Sequence, residues 1–262
     1  GSQLDGAGAA RRDGERRDRI RRTGLLGPAT RRPAADLQAA TGRQDRLQLR
    51  GAVSGGCINQ AQRIGYAGAL DKHEFPWRAA LDALEMLAGT VGRGKVRLVH
   101  CGYLSEQVRD YLQSRNLEDL VEIHGTLPHS QAMTLTAATD IRLLLLYETA
   151  YSSSIVPMKL YNYLIMNGPI LAIAPESGVT ASIIARTRMG CVISPQRGIE
   201  TIYRQLLEYY RAWENGSLSI NPDNTEIQRY DRHAQTRRLA EILSGLAERQ
   251  NHDQTAVSTQ HE

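Results

Sequence analysis

Ser152-Ser153-Ser154-Ile155-Val156-Pro157-Met158-Lys159-Leu160-Tyr161-Asn162-Tyr163-Leu164 decides the reading of this chain, because it ends one apolar run and opens another of a different kind. Before it stands Ile141-Arg142-Leu143-Leu144-Leu145-Leu146-Tyr147, a short run with the composition of a buried strand. After it the spacing predicts a helix opened by Pro157, with Lys159 about one turn inside, and then a second strand, Pro169-Ile170-Leu171-Ala172-Ile173-Ala174. Hydroxyls, a helix start and a lysine thus fall at the carboxyl end of a strand. Open α/β sheets bind ligands at that edge, and a helix amino end favours phosphate.

The same alternation extends in both directions. Ile64-Gly65-Tyr66-Ala67 reads as a strand closed by Gly68, Trp77 to Leu87 as a helix, and Val96 to Cys101 as a strand closed by Gly102. Ser105 to Gln113 follows as a helix, Val121 to His124 as a strand closed by Gly125, and His129 to Ala138 as a helix. Beyond the central stretch come a helix near Val179 to Arg186, the strand Cys191-Val192-Ile193, and an amphipathic helix from Ile199 to Trp213 with Ile202, Leu206, Tyr209 and Trp213 on one side. A polar loop spans Asn215 to Asn224. A closing helix is expected over Arg229 to Leu246, with Leu239, Ile242, Leu243 and Leu246 on one side. Parallel strands need long crossovers, normally helices, so the fold class is α/β, a doubly wound parallel sheet of Rossmann-like type with a C-terminal closing helix.

Charge divides the chain differently. The 65 residues before Tyr66 hold no aromatic residue, and 13 arginines face 6 acidic side chains there. The remaining residues are slightly acidic, so the net charge of +4 is carried by the first segment. The expected organisation is an arginine-rich, poorly defined segment over 1–62, incomplete as a domain apart from a short helix near Ala34 to Ala40. A Rossmann-like domain follows over 63–250, and a disordered tail over 251–262. Charge confined to sequence with little to fold around argues against nucleic acid as a partner. A peripheral contact of that segment with anionic lipid is the one membrane reading left, since no apolar stretch reaches the roughly 18 residues needed for a span. Cys57, Cys101 and Cys191 share no close spacing and read as buried thiols of a reducing cytoplasm.

Several chemistries drop out on spacing. Gly65-Tyr66-Ala67-Gly68 is not Gly-x-Gly-x-x-Gly, no Gly-x-x-x-x-Gly-Lys-Ser/Thr loop occurs, and no Gly-x-Ser-x-Gly elbow is present. The histidines give no metal triad, so no metal and no cofactor are implied. His100 and His124 fall in strands and read as structural, whereas His73 and His129 fall in loops or helix starts where a sugar could touch them. What is left is a glycine-lined edge, Gly68, Gly102 and Gly125, with two cations beside it. Glycine there permits positive φ or close ligand approach, although strand-to-helix turns use it for the same reason. Lys159 with Ser153 and Ser154 suits a diphosphate that gains charge as a leaving group. Serines also cap helices without a ligand, and a lysine stem also covers apolar surface. Lys72, after the first strand, reads equally as a diphosphate cation or as a solvated side chain.

In order along the chain, several segments together resemble the C-terminal, donor-binding domain of retaining GT-B-fold glycosyltransferases, the group 1 type. These are Tyr66-Ala67-Gly68-Ala69-Leu70, Val121-Glu122-Ile123-His124-Gly125-Thr126-Leu127-Pro128-His129-Ser130, Thr139-Asp140, Pro157 to Leu164 followed by Gly168-Pro169-Ile170, Gly178, and Met189-Gly190-Cys191-Val192. The resemblance covers Arg63 to about Leu246. It implies backbone contacts to a base from Gly125, Thr126 and Leu127, and a diphosphate site at Ser153, Ser154 and the following helix start with a basic residue from the opening loop. It also implies a UDP-, GDP- or similar nucleotide-sugar donor, with sugar transfer to an unknown acceptor, retention at the anomeric carbon and no need for a metal. Two positions depart from the family: the paired glutamates often found eight residues apart are Ser154 and Asn162 here, and Ala69 and Leu70 stand near where an arginine is common. Asn162 offers ribose hydroxyls hydrogen bonds but no anionic acceptor. The family's separate acceptor domain finds no counterpart in the residues before Arg63. The expectation is therefore a donor-binding half, whose isolated activity is in doubt. A non-catalytic nucleotide- or partner-binding module is the alternative, and a nucleotide-sugar epimerase a third reading.

Overall fold

The computed structural model describes residues 61–71, 76–147 and 149–258, with side chains through 246. The expected helix near Ala34 to Ala40, Cys57, Lys72, His73 and almost all of the arginine-rich segment lie outside the described residues.

The described chain alternates strand and helix. The strands are β1 (Gln62–Ala67), β2 (Val96–Cys101), β3 (Val121–Ile123), β4 (Ile141–Leu145), β5 (Ile170–Ile173) and β6 (Gly190–Ile193). The helices are α1 (Trp77–Val91), α2 (Glu106–Ser114), α3 (His129–Ala137), α4 (Met158–Leu164), α5 (Val179–Thr187), α6 (Ile199–Glu214), α7 (Asn224–Gln228) and α8 (Arg232–Ser258). All six strands pair in parallel in the order β3-β2-β1-β4-β5-β6. The doubly wound reading holds, and β1 and β4 flank the point where strand order reverses.

Burial on both faces follows from side-chain alternation along each strand. On β4, Leu143 and Leu145 join one cluster with Trp77, Leu84 and Leu87 of α1, Leu112 of α2, and Ile202 and Leu206 of α6. Leu144 faces the other way, with Met133 of α3, Leu160, Tyr163 and Leu164 of α4, and Ile183 and Ile184 of α5. Each fully buried leucine contributes about 1.5–3 kcal/mol relative to exposure, so the strand core holds both layers. Capping sets the helix starts: the Ser105 hydroxyl accepts from Val108 N at the head of α2, and the Asp223 carboxylate accepts from Glu226 N at the head of α7.

Three details differ from the sequence expectation. Helix α4 has only seven residues and begins after Pro157, so Lys159 is its second residue rather than a turn inside. On α6 the tyrosine buried beside Ile202, Leu206 and Trp213 is Tyr210, while Tyr209 is half-buried and its hydroxyl donates to Cys191 Sγ at 3.4 Å. The stripe Leu239, Ile242, Leu243 and Leu246 on α8 is more than half exposed rather than packed.

Candidate functional site

Three strands end in glycines that abut one another. The Gly68 N–H donates to the Cys101 carbonyl at 2.8 Å, and the Gly102 N–H to the Gly125 carbonyl at 2.7 Å. These bonds continue the β1-β2-β3 ladder past the strand ends and bring the three turns together. A Cβ on Gly102 would run into the Gly68 carbonyl, so this position excludes every other residue; φ is +146° there. Gly125 differs: open space surrounds it, and its φ of +66° is the reason for glycine. The following Thr126 is exposed and Leu127 half-buried, so this loop offers backbone and side-chain polar groups at the sheet edge.

Lys159 reaches this edge from α4. Its Nζ lies 4.0 Å from the centroid of the Tyr66 ring, and a Cβ on Gly68 would stand only 2.6 Å from that nitrogen. Tyr66 belongs to the α1 side of the sheet, whereas Leu160 and Tyr163 of α4 belong to the other side. The lysine therefore crosses the edge at the one place where Gly68 leaves room. No described carboxylate pairs with it, and burial pushes its pKa down from 10.5 to about 8. A half-buried cation with no counter-ion among the described residues is an arrangement completed by an anion.

The neighbouring loop is built rather than loose. The Ser152 side chain is buried and bonded, accepting from Thr149 N at 2.6 Å, so it closes the loop after β4. Gly178, at the head of α5, lies so close beneath that an added Cβ would meet the Ser153 carbonyl at 2.5 Å. The Thr180 hydroxyl donates to Ile155 O at 2.7 Å and fixes the approach to α4. Ser153 and Ser154 are left exposed on the single 3₁₀ turn Ser152–Ser154. Asn162 is half-buried three residues after Lys159. With seven residues, and with Leu160 N already bonded to Pro157 O at 2.9 Å, α4 presents little helix dipole. Among the described residues the charge at this site comes from Lys159.

A groove of about 500 Å³ opens at the opposite, amino-terminal edge of the sheet, lined by residues such as Met166, Asn167, Met189, Ile220 and Gln228. Its lining has no charged side chain, which gives a diphosphate nothing to pair with. Among the described residues no three His, Cys, Asp or Glu side chains converge to hold a metal ion, and no helix is long and apolar enough to cross a membrane.

Neither a protein-family model nor a curated protein sequence matches the chain. Solved structures do. The C-terminal domain of a glycosyl transferase group 1 family protein, LpcC, from Francisella tularensis superposes with a TM-score of 0.51 at 14% identity, over 70% of this chain and 91% of that one. The fold is that of a GT-B glycosyltransferase C-terminal domain. Sucrose-phosphate synthase from Thermosynechococcus elongatus matches this GT-B-type domain with a TM-score of 0.58 at 13% identity, over 81% of the chain. The lipopolysaccharide outer core galactosyltransferase WaaB matches with 0.52 at 16%, over 72%. The chain spans about half the length of these last two, 51% of each.

Within the GT-B-type domain, Gly68, Gly125 and Lys159 converge at one edge, with Gly102 between the two glycines. Lys72 lies outside the described residues. Sequence reading missed the partners of Lys159. Tyr66 was legible only as part of a motif, and His100 only as structural. Tyr163 escaped too, although it stands four residues after Lys159 and thus on the same helix face. Its hydroxyl accepts from Ala67 N at 3.2 Å, so Lys159 and Tyr163 clasp successive points of the β1 turn.

His124 Nε2 lies 2.6 Å from Glu122 Oε1, which also accepts from Arg63 Nη2 at 2.8 Å. Burial works against ionisation of Glu122, but the hydrogen bond and charge of Arg63 outweigh it and hold the carboxyl below its ordinary range. That triad ties β1 to the residue before Gly125 and is a support of the rim.

Proposed function

We propose that this chain binds the diphosphate of a nucleotide-sugar donor at the carboxyl edge of its sheet, as the donor-binding half of a glycosyltransferase. The observation that carries the reading is Lys159, a desolvated ammonium against Gly68 at the reversal of strand order. An open sheet binds ligands there because turns diverge on either side and leave a crevice. A diphosphate would give Lys159 the counter-ion that the described residues do not supply. In transfer, negative charge grows on the departing diphosphate, and a cation already stripped of water stabilises it with little reorganisation.

Gly125, Thr126 and Leu127 would meet the base, Ser153 and Ser154 the phosphates as hydroxyl donors, and Asn162 the ribose. Asparagine supplies neutral hydrogen bonds where a carboxylate would supply charge-assisted ones, so the ribose is held less tightly than a carboxylate at this position would hold it. The acceptor half of the reaction is assigned to protein surface beyond this domain, in keeping with the half-length match to the larger relatives. Retention and independence from a divalent metal follow the family resemblance.

Calorimetric titration of the chain with UDP, GDP and their sugars tests the reading. Saturable binding of one nucleoside diphosphate is expected, reduced at least tenfold by Lys159→Met. Equal affinity of that variant, or absence of binding by every nucleotide, overturns the diphosphate site and favours a module that binds another protein. Release of an epimerised free nucleotide sugar would replace transfer with epimerisation.

A further inference from the structure

The seat of Lys159 is made by two buried side chains, Tyr66 and His100. Tyr66 is buried, and its hydroxyl donates to Ala69 O at 3.1 Å, so the ring is fixed at both ends of the β1 turn. Behind it His100 lies nearly parallel, with ring centroids 5.9 Å apart and planes 12° apart. His100 Nε2 stands 2.9 Å from the Gly68 carbonyl. A carbonyl only accepts, so Nε2 carries the hydrogen, and Nδ1 is left bare and without a described partner. Order across the edge is thus ammonium, phenol ring, imidazole, with Gly68 bonded to the last and touching the first.

We propose that Tyr66 and His100 are positioning residues for Lys159, the ring face of Tyr66 holding the ammonium over Gly68 and His100 locking both the ring and the Gly68 turn. This deepens the diphosphate reading and rests on it for its functional meaning. A lysine on a four-carbon stem at the first turn of a short helix would otherwise turn to water, where its charge is best solvated. The aromatic face offers a substitute for part of that solvation, since its quadrupole attracts a cation within about 6 Å.

The charges around the seat fit a single cation. From β2, His100 stays neutral: burial lowers its pKa, the bond to the Gly68 carbonyl works the other way, and Lys159, Arg109 of α2 and His124 lower it further. From β1 and its turn, the Tyr66 phenol is pushed far above its ordinary value by burial, then by Tyr163 of α4 and by Asp71. Both groups therefore keep their charge state through neutral pH, and the titration read at this seat is that of Lys159.

The chain has three lysines, Lys72, Lys95 and Lys159, so the test is direct. Protein grown with lysine labelled with ¹³C at Cε gives three resonances, assigned by Lys72→Arg and Lys95→Arg, and each is titrated by NMR. In the wild type one midpoint lies near about 8, that of Lys159. Tyr66→Phe keeps the ring and is expected to leave that midpoint within half a unit or so. Tyr66→Leu removes the ring and releases the ammonium to water, so its midpoint rises by at least about one unit toward the ordinary lysine value. His100→Leu is expected to move it in the same direction. UDP affinity, where UDP or GDP is the probe that binds, falls about tenfold in Tyr66→Leu and not in Tyr66→Phe, and the loss disappears in a Lys159→Met background. Urea unfolding confirms that each variant is folded.

An unmoved or lowered Lys159 midpoint in folded Tyr66→Leu overturns the inference even if nucleotide binds. A raised midpoint in a protein that binds no nucleotide upholds the seat and overturns the diphosphate reading. An affinity loss that persists in the Lys159→Met background also overturns it, since Tyr66 would then act without the lysine.

Discussion

Replacing Lys159 by methionine is expected to stabilise the ligand-free protein while removing its diphosphate affinity. Burial lowers the lysine pKa from 10.5 to about 8. At about 1.4 kcal/mol per pKa unit, that difference amounts to roughly 3 kcal/mol of unfavourable free energy for carrying the charged form in the fold. The Tyr66 ring offsets about 1–2 kcal/mol of such a penalty, and a methionine sulfur recovers part of the ring contact. A gain of about 1–3 kcal/mol at pH 7 is the expected net effect. With a urea dependence of about 2 kcal/mol per molar for a domain of this size, the midpoint moves up by about 0.5–1.5 M.

The pH dependence fixes the cause. Below pH 8 the lysine is protonated whether the chain is folded or unfolded, and the full penalty is present. Between about 8 and 10.5 the unfolded chain holds a proton that the folded chain has released, so wild-type stability rises with pH relative to the methionine variant. The variant's advantage should shrink by about 1.4 kcal/mol per pH unit across that window and be gone by its upper end. Urea denaturation of both proteins at pH 7, 9 and 10.5, followed by far-ultraviolet circular dichroism, makes the comparison. A variant less stable than wild type at pH 7, or a difference that is constant with pH, would refute a desolvated Lys159.

Gly102→Ala should destabilise by about 2–4 kcal/mol, because its Cβ would meet the Gly68 backbone and its φ of +146° is a glycine conformation; thermal unfolding measures it, and a loss below 0.5 kcal/mol would deny the close rim. Tyr163→Phe removes the acceptor for the buried Ala67 N–H, so about 1–2 kcal/mol of stability is expected to go, together with some nucleotide affinity. Glu122→Gln removes a carboxylate whose pKa is held down by Arg63 in the folded state. Its contribution is present above the ordinary value of 4.5 and lost as pH falls through the lowered one, so the variant should show a shallower acid limb of stability than wild type.

The sheet was legible because each strand is a short apolar run closed by glycine, and both layers of its core come from adjacent residues such as Leu143 and Leu144. Alternation with single helices leaves a parallel, doubly wound arrangement as the natural way to bury both faces. Gly68, Gly125 and Lys159 were also within reach of sequence, since strand ends and helix starts fix which edge they occupy. Helical periodicity located α8 and its leucine stripe, but a repeat says which face is apolar, not what covers it, and that stripe is exposed on the described chain. The same limit shifted the buried tyrosine of α6 by one position.

The partners of Lys159 lay beyond sequence altogether. Tyr66, His100 and Lys159 come from three different elements, separated by 34 and 59 residues, and only strand register at β1 and β2 brings the rings face to face. Whether a lysine is a solvated surface charge or a desolvated one depends on what closes around its last atom. Local chemistry determined the strands, the turns and the edge where they end; the low pKa of one ammonium is a property of packing between segments distant in the chain, and so belongs to the tertiary structure alone.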